Sequence, residues 1–127
     1  WYYVMLDNWG NIPLVTDYND KELPTCKTRQ EVFDWLLSEV EEISATCPEA
    51  SSETYGQFTK GAAYTLLAKL YLNADAWGVT TSGGNYEKVV EYCDKVMAMN
   101  YILEPEWSDN FNLTNNNSRE AIFACSF

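Results

Sequence analysis

The stretch Thr59-Lys60-Gly61-Ala62-Ala63-Tyr64-Thr65-Leu66-Leu67-Ala68-Lys69-Leu70-Tyr71-Leu72-Asn73-Ala74 decides how this chain folds. Its apolar residues fall on most sides of a helical period, so the helix it predicts needs neighbours on more than one flank. Gly61, Ala62, Ala63 and Ala68 remove side-chain bulk, which lets another helix approach closely at little cost in entropy. Thr59 stands where a cap is needed, and Asn73-Ala74-Asp75-Ala76-Trp77-Gly78 ends the run.

Downstream, Gly83-Gly84 reads as a turn, without the lysine and strand-to-helix setting of a nucleotide loop. A helix follows over 86–99 with Tyr86, Val89, Val90, Cys93, Val96 and Met97 as its apolar set. Tyr64, Leu67, Ala68 and Tyr71, then Tyr86, Val89, Cys93 and Val96, match the spacing of a tetratricopeptide pair, with 72–85 as an inserted connector; an ordinary helical hairpin is the other reading. Upstream, Thr28-Arg29-Gln30-Glu31 is a capping box. The helix it starts carries Val32, Phe33, Leu36, Leu37, Val40 and Ile43 on one side and Glu39, Glu41 and Glu42 on or near the wet side, with Pro48 as its bound. Residues 1–9 read as the end of a helix with Tyr2, Leu6 and Trp9 in its stripe, closed by Gly10. Residues 11–27 read as an ordered loop, 49–57 and 109–117 as polar turns and loop, and 121–127 as a strand. The predicted fold class is all-α: tetratricopeptide-like helical hairpins with long ordered loops and a short C-terminal strand segment.

The 127 residues, 46% of them hydrophobic and 15% aromatic, suffice for one core and not for a large two-domain enzyme. A net charge of -11 gives a nucleic-acid backbone no counter-charge. The absence of histidine removes the commonest general base and transition-metal ligand. Cys26, Cys47, Cys93 and Cys125 lack CxxC spacing; three disulfide connectivities and free buried thiols both stay open. The apolar stretches are too short and too interrupted to span a bilayer, and no motif calls for a cofactor. Without an initiator Met or a signal pattern, and with an apolar last stretch, either end is expected to continue.

Leu6-Asp7-Asn8-Trp9-Gly10-Asn11-Ile12-Pro13-Leu14-Val15-Thr16, the 59–74 helix, Tyr86-Glu87-Lys88-Val89-Val90-Glu91-Tyr92-Cys93-Asp94-Lys95-Val96 and Arg119-Glu120-Ala121-Ile122-Phe123-Ala124 together resemble the SusD/RagB family, in order and over nearly the whole chain. The resemblance implies a helical array with tetratricopeptide-like pairs, of which residues 1–127 would be a central part. It further implies a non-enzymatic surface lipoprotein of Bacteroidetes-type bacteria that binds oligosaccharide or polysaccharide and partners a TonB-dependent outer-membrane transporter. Membrane attachment would then come only through a lipid anchor outside this segment. None of the four cysteines has a lipobox setting. A helical-repeat protein–protein interaction module without sugar binding is the alternative the composition supports unaided.

Sugar recognition needs flat apolar rings beside short polar side chains. Trp77, with Asp75 and Asn73, is the first candidate, placed by this reading in the connector between two helices; the competing reading folds Trp77 back onto the helix pair. Trp107, followed by Ser108, Asp109 and Asn110, is the second, with loop anchoring as its competing role. Asn8 and Trp9 read more simply as turn packing, and Trp1 and Trp35 as packing residues. Asp75, Asp109, Asn110 and Asn112 offer oxygen ligands but lack EF-hand spacing, and the glutamates at 39, 41 and 42 do not make a glycosidase pair.

Overall fold

The computed structural model describes residues 1–115 and 118–124. The first helix, α1, spans Tyr2–Trp9 and buries Leu6. It stops at Gly10, whose φ of 72° suits a residue without Cβ and whose amide donates to the Leu6 carbonyl at 3.0 Å. A Cβ there would also lie 2.7 Å from Nη2 of Arg29, so the glycine makes room for that guanidinium. Trp9 is 69% exposed and leaves the apolar stripe expected for it.

The 11–27 loop is closed at its base by a minimal antiparallel ladder, β1 (Ile12–Pro13) on β2 (Cys26–Lys27), with Ile12 opposite Lys27. Helix α2, Arg29–Ser44, begins with the expected capping box: the Glu31 amide donates to Thr28 Oγ1 at 3.2 Å and the Thr28 amide to Glu31 Oε2 at 2.8 Å. Its buried face is Val32, Phe33, Leu36 and Val40, while Ile43 lies past the core and is exposed.

Helix α3, Lys60–Trp77, is the central element, burying residues on most of its sides against both α2 and α4 (Asn85–Met97). Its terminus is a Schellman motif, with Gly78 at φ 67° and the amides of Gly78 and Val79 donating to Asp75 and Ala74 carbonyls at 3.1 Å each. The helix therefore runs through residues 73–77, and the connector to α4 is only 78–84. That correction brings α3 and α4 closer to a plain tetratricopeptide-like hairpin than the sequence suggested.

The packed face of α4 is also rotated from the expected one. Tyr92 is buried and Val89 and Val96 half-buried, whereas Tyr86, Val90, Cys93 and Met97 are exposed. The Tyr92 ring stacks on Tyr71 (6.0 Å, 19°) and lies tilted against Tyr64 (5.8 Å, 32°), an aromatic contact that directs this face of α4 onto α3.

The strand expected over 121–127 is not formed in residues 121–124, and 125–127 lie outside the described residues. A strand needs a ladder partner; the Ile102 amide reaches the Arg119 carbonyl at 3.2 Å, but residues 118–120 are otherwise held largely by side chains. Among the described residues no helix is long and apolar enough to cross a membrane. Cys26, Cys47 and Cys93 are free thiols, Cys26 and Cys93 of them exposed rather than buried; Cys125 lies outside the described residues.

Candidate functional site

Because α3 extends to its Schellman terminus, Trp77 sits in a helix turn and not in a loop. It is 9% exposed, edge-on to Phe33 (6.3 Å, 76°) and tilted on Tyr3 (5.6 Å, 60°). Its Nε1 donates to Asp7 Oδ1 at 3.0 Å and its carbonyl accepts from Arg29 Nη1 at 3.3 Å, so one residue ties α1 and α2 to the end of α3. Asn73 donates to the Lys69 carbonyl at 2.8 Å and to the Tyr3 hydroxyl at 3.2 Å. Burial, then the neighbouring Asp7 carboxylate, raises the pKa of Tyr3. Asp75 accepts from Asn85 Nδ2 at 2.7 Å, linking the end of α3 to the start of α4. The three side chains converge on no common opening, and Trp77 presents no ring to solvent.

Trp107 is placed very differently. It opens a 3-10 turn, Trp107–Phe111, and is 79% exposed, with its ring 4.7 Å from the exposed ring of Phe111. The turn rests on polar side chains. Glu120 Oε2 accepts from Asn110 Nδ2 at 2.8 Å and from the Glu104 amide at 2.9 Å, and these donors, the Asn110 amide foremost, hold its carboxyl below the usual carboxylate range. The Arg119 amide donates to Glu104 Oε1 at 3.0 Å, and Arg119 Nε and Nη2 both donate to the Asn100 carbonyl, at 3.0 and 2.6 Å.

Sequence reasoning missed a concave feature. A cleft of about 630 Å³ opens between the 49–57 segment on one side and residues 98–101 and 118–124 on the other, lined in part by Tyr55, Gln57, Tyr101, Arg119, Ala121 and Phe123. Tyr101 forms its floor by lying over Gly61, where a Cβ would come within 2.8 Å of the ring Cζ, with its hydroxyl 3.4 Å from the buried Thr59 Oγ1. Thr59 is thus the N-cap residue of α3, but its hydroxyl makes no cap bond. The 49–57 wall is fixed by Thr54 Oγ1 donating to the Glu49 carbonyl at 3.0 Å and by the Lys60–Glu49 ion pair at 2.6 Å. A smaller hollow of about 250 Å³ shares Tyr55, Ser118, Ala121 and Ala124 with the cleft and reaches Asn110, Asn115 and Glu120. The available signal was a tyrosine and a glutamine in an otherwise small, polar turn; nothing local showed what lay opposite.

Glu41 has a packing role: its Oε1 accepts from the hydroxyls of Tyr71 (3.2 Å) and Tyr92 (3.4 Å). Burial, then Glu41, pushes the Tyr71 phenol up to about 12 and raises Tyr92 as well. Among the described residues no three His, Cys, Asp or Glu side chains gather as a metal site would require.

No protein-family model matches the chain. In sequence it is 33% identical over 121 residues to the starch-binding protein SusD of Bacteroides thetaiotaomicron, a match covering 95% of this chain and 21% of SusD. Its likeness in sequence is to the SusD family. A structure solved with a xylogluco-oligosaccharide superposes with a TM-score of 0.82 at 27% identity, covering 96% of this chain and 26% of the other. Surface glycan-binding protein A of Bacteroides thetaiotaomicron, solved with laminarihexaose, gives 0.74 at 25% identity over 96% and 24% of the two chains. The chain thus spans about a fifth to about a quarter of the length of each relative or neighbour named here. The all-α, tetratricopeptide-like architecture agrees with these neighbours.

Proposed function

We propose that this chain is part of the helical scaffold of a glycan-binding protein on the bacterial cell surface, anchored by lipid to the outer membrane. Its role there is capture of oligosaccharide or polysaccharide for a partner TonB-dependent transporter, without bond cleavage. The observation that carries the reading is the 33% identity to starch-binding SusD across 95% of the chain. The likeness to two proteins solved with oligosaccharides supports it.

Within this segment most side chains serve packing. Trp77, Asp75 and Asn73 join helices, and Trp107 is the residue of the sequence-derived set that offers a ring to a ligand. Its open face, beside the exposed ring of Phe111, has the apolar chemistry of a sugar contact. A glycan array on the full-length protein tests both levels. Binding of neutral glycans by the parent, weakened in Trp107→Ala with an unchanged melting curve, is the expected result. No glycan binding by the parent would defeat the reading and favour a helical-repeat protein-interaction module. Undiminished binding by Trp107→Ala would remove Trp107 from the site.

A further inference from the structure

We infer that the trough running from Tyr101 past Tyr55 to Asn110 is a subsite for a short neutral oligosaccharide, an inference that rests on the glycan-binding reading above. The cleft and the smaller hollow share four lining residues and so adjoin, which gives room for more than one sugar ring. The larger part, at about 630 Å³, lies within the size range of small-molecule sites.

The chemistry of the walls narrows the ligand. Tyr55 and Phe123 are 38% and 50% exposed at the cleft and supply ring surface for C–H faces. Gln57 on one wall, with Asn110 and Asn115 in the smaller hollow, brings amides to the walls; each is tied to the protein, Asn110 to both Glu120 and Ser118, so a sugar hydroxyl would meet only their remaining donor and acceptor positions. The charged groups are already engaged with the protein itself. Arg119, the one cationic side chain among the described lining residues, donates twice to the Asn100 carbonyl, Glu49 is paired with Lys60, and Glu120 holds Asn110 and the Glu104 amide. With a net charge of -11 around it, such a trough favours an uncharged glycan over an acidic one.

Both walls are also set before any ligand arrives, which lowers the ordering cost of binding. One is fixed through Thr54, Glu49 and Lys60, the other through Glu104, Asn100 and Glu120, and the floor by Tyr101 on Gly61.

The test is calorimetric titration of the full-length protein with maltohexaose, laminarihexaose, a xyloglucan heptasaccharide and, as the charged comparison, an oligogalacturonate. Two variants are measured beside the parent: Tyr55→Ala, which removes a ring, and Ala121→Trp, which fills the point shared by the two hollows from an exposed position. Each is expected to raise the Kd of the tightest neutral probe by about tenfold, with melting curves like the parent's. Unchanged Kd in Ala121→Trp overturns the trough and leaves the glycan-binding reading standing. A parent that binds none of the neutral probes overturns both. Tighter binding of the oligogalacturonate overturns the neutral assignment, and a full-length structure with the protein's own chain filling the trough overturns the subsite.

Discussion

The α2–α3–α4 layer and the segment from Ala98 to Ala124 are held together by different forces. In the helical layer, Phe33, Leu67 and Leu70 are wholly buried, and position is fixed by how side chains fill space. In the C-terminal segment the described residues form no α-helix or strand; position is fixed by Glu104, Glu120, Arg119 and Asn110 bonding to backbone and to one another. Two of the large rings there, Trp107 and Phe111, face outward. Apolar burial makes a scaffold that tolerates little change in volume. Side-chain hydrogen bonds instead hold an irregular surface in one shape while leaving its rings free to meet a ligand. A substitution in the first region should therefore move global stability, and one in the second should move local order and binding.

The sharpest way to break that contrast is Leu67→Ala. Leu67 is fully buried, so the loss is expected at about 2–5 kcal/mol, read as a fall in melting temperature of the whole domain. Ala68→Leu, at a position 7% exposed on the same helix, is expected to cost about 1–3 kcal/mol by overpacking. A parent-like melt for Ala68→Leu would mean that the close approach of helices at α3 is not what this layer depends on.

Gly61→Ala probes the junction between the regions. The new methyl collides with the Tyr101 ring, yet alanine suits a helix better than glycine. Overpacking of about 1–3 kcal/mol set against about 1 kcal/mol of helix propensity leaves a net change on the order of 0–2 kcal/mol, smaller than for Leu67→Ala. The expected signature is faster amide hydrogen exchange in residues 98–104 with protection in α2 and α3 retained. Uniform loss of protection would show that the two regions unfold as one.

The same division explains what could be read from the sequence. The capping box at Thr28 and the small-residue run at 61–68 are local patterns, and both led to the right helices, the second also to its neighbour α4. The face of α4 was misread because two sets of residues share its periodicity; Tyr92 decides between them only through Tyr64 and Tyr71, which lie on another helix. Trp77 was placed in a loop because a glycine three-dimensionally suited to a Schellman cap looks, in sequence, like any other turn residue. The trough was invisible for a stronger reason: its walls lie roughly 40 to 75 residues apart in sequence and meet through few contacts, Tyr101 on Gly61 and Thr59, and Phe123 against Phe58 at 5.8 Å. No periodicity encodes such contacts.

The smallest expected effect lies on the wet side of α4, where the helical layer does use charge. Glu91 accepts from Lys88 at 2.8 Å and from Lys95 at 2.6 Å. These bonds, that from Lys88 first, hold its carboxyl down from 4.5 to about 2. A folded-state pKa below the unfolded one contributes stability that is whole above the unfolded value and is lost as pH falls through the folded one. The window here is therefore about 4.5 down to about 2. Because the group is exposed and screened by solvent, the contribution is slight and salt-sensitive. Lys95 also keeps its position over the Tyr92 ring at 4.7 Å without Glu91, which limits the loss further. Melting temperatures of Glu91→Gln and parent should differ a little at neutral pH in low salt, and the gap should close by about pH 2 or in high salt. A gap that persisted at both extremes would show that Glu91 acts through packing, and that charge and burial are not separable on this helix in the way the rest of the layer implies.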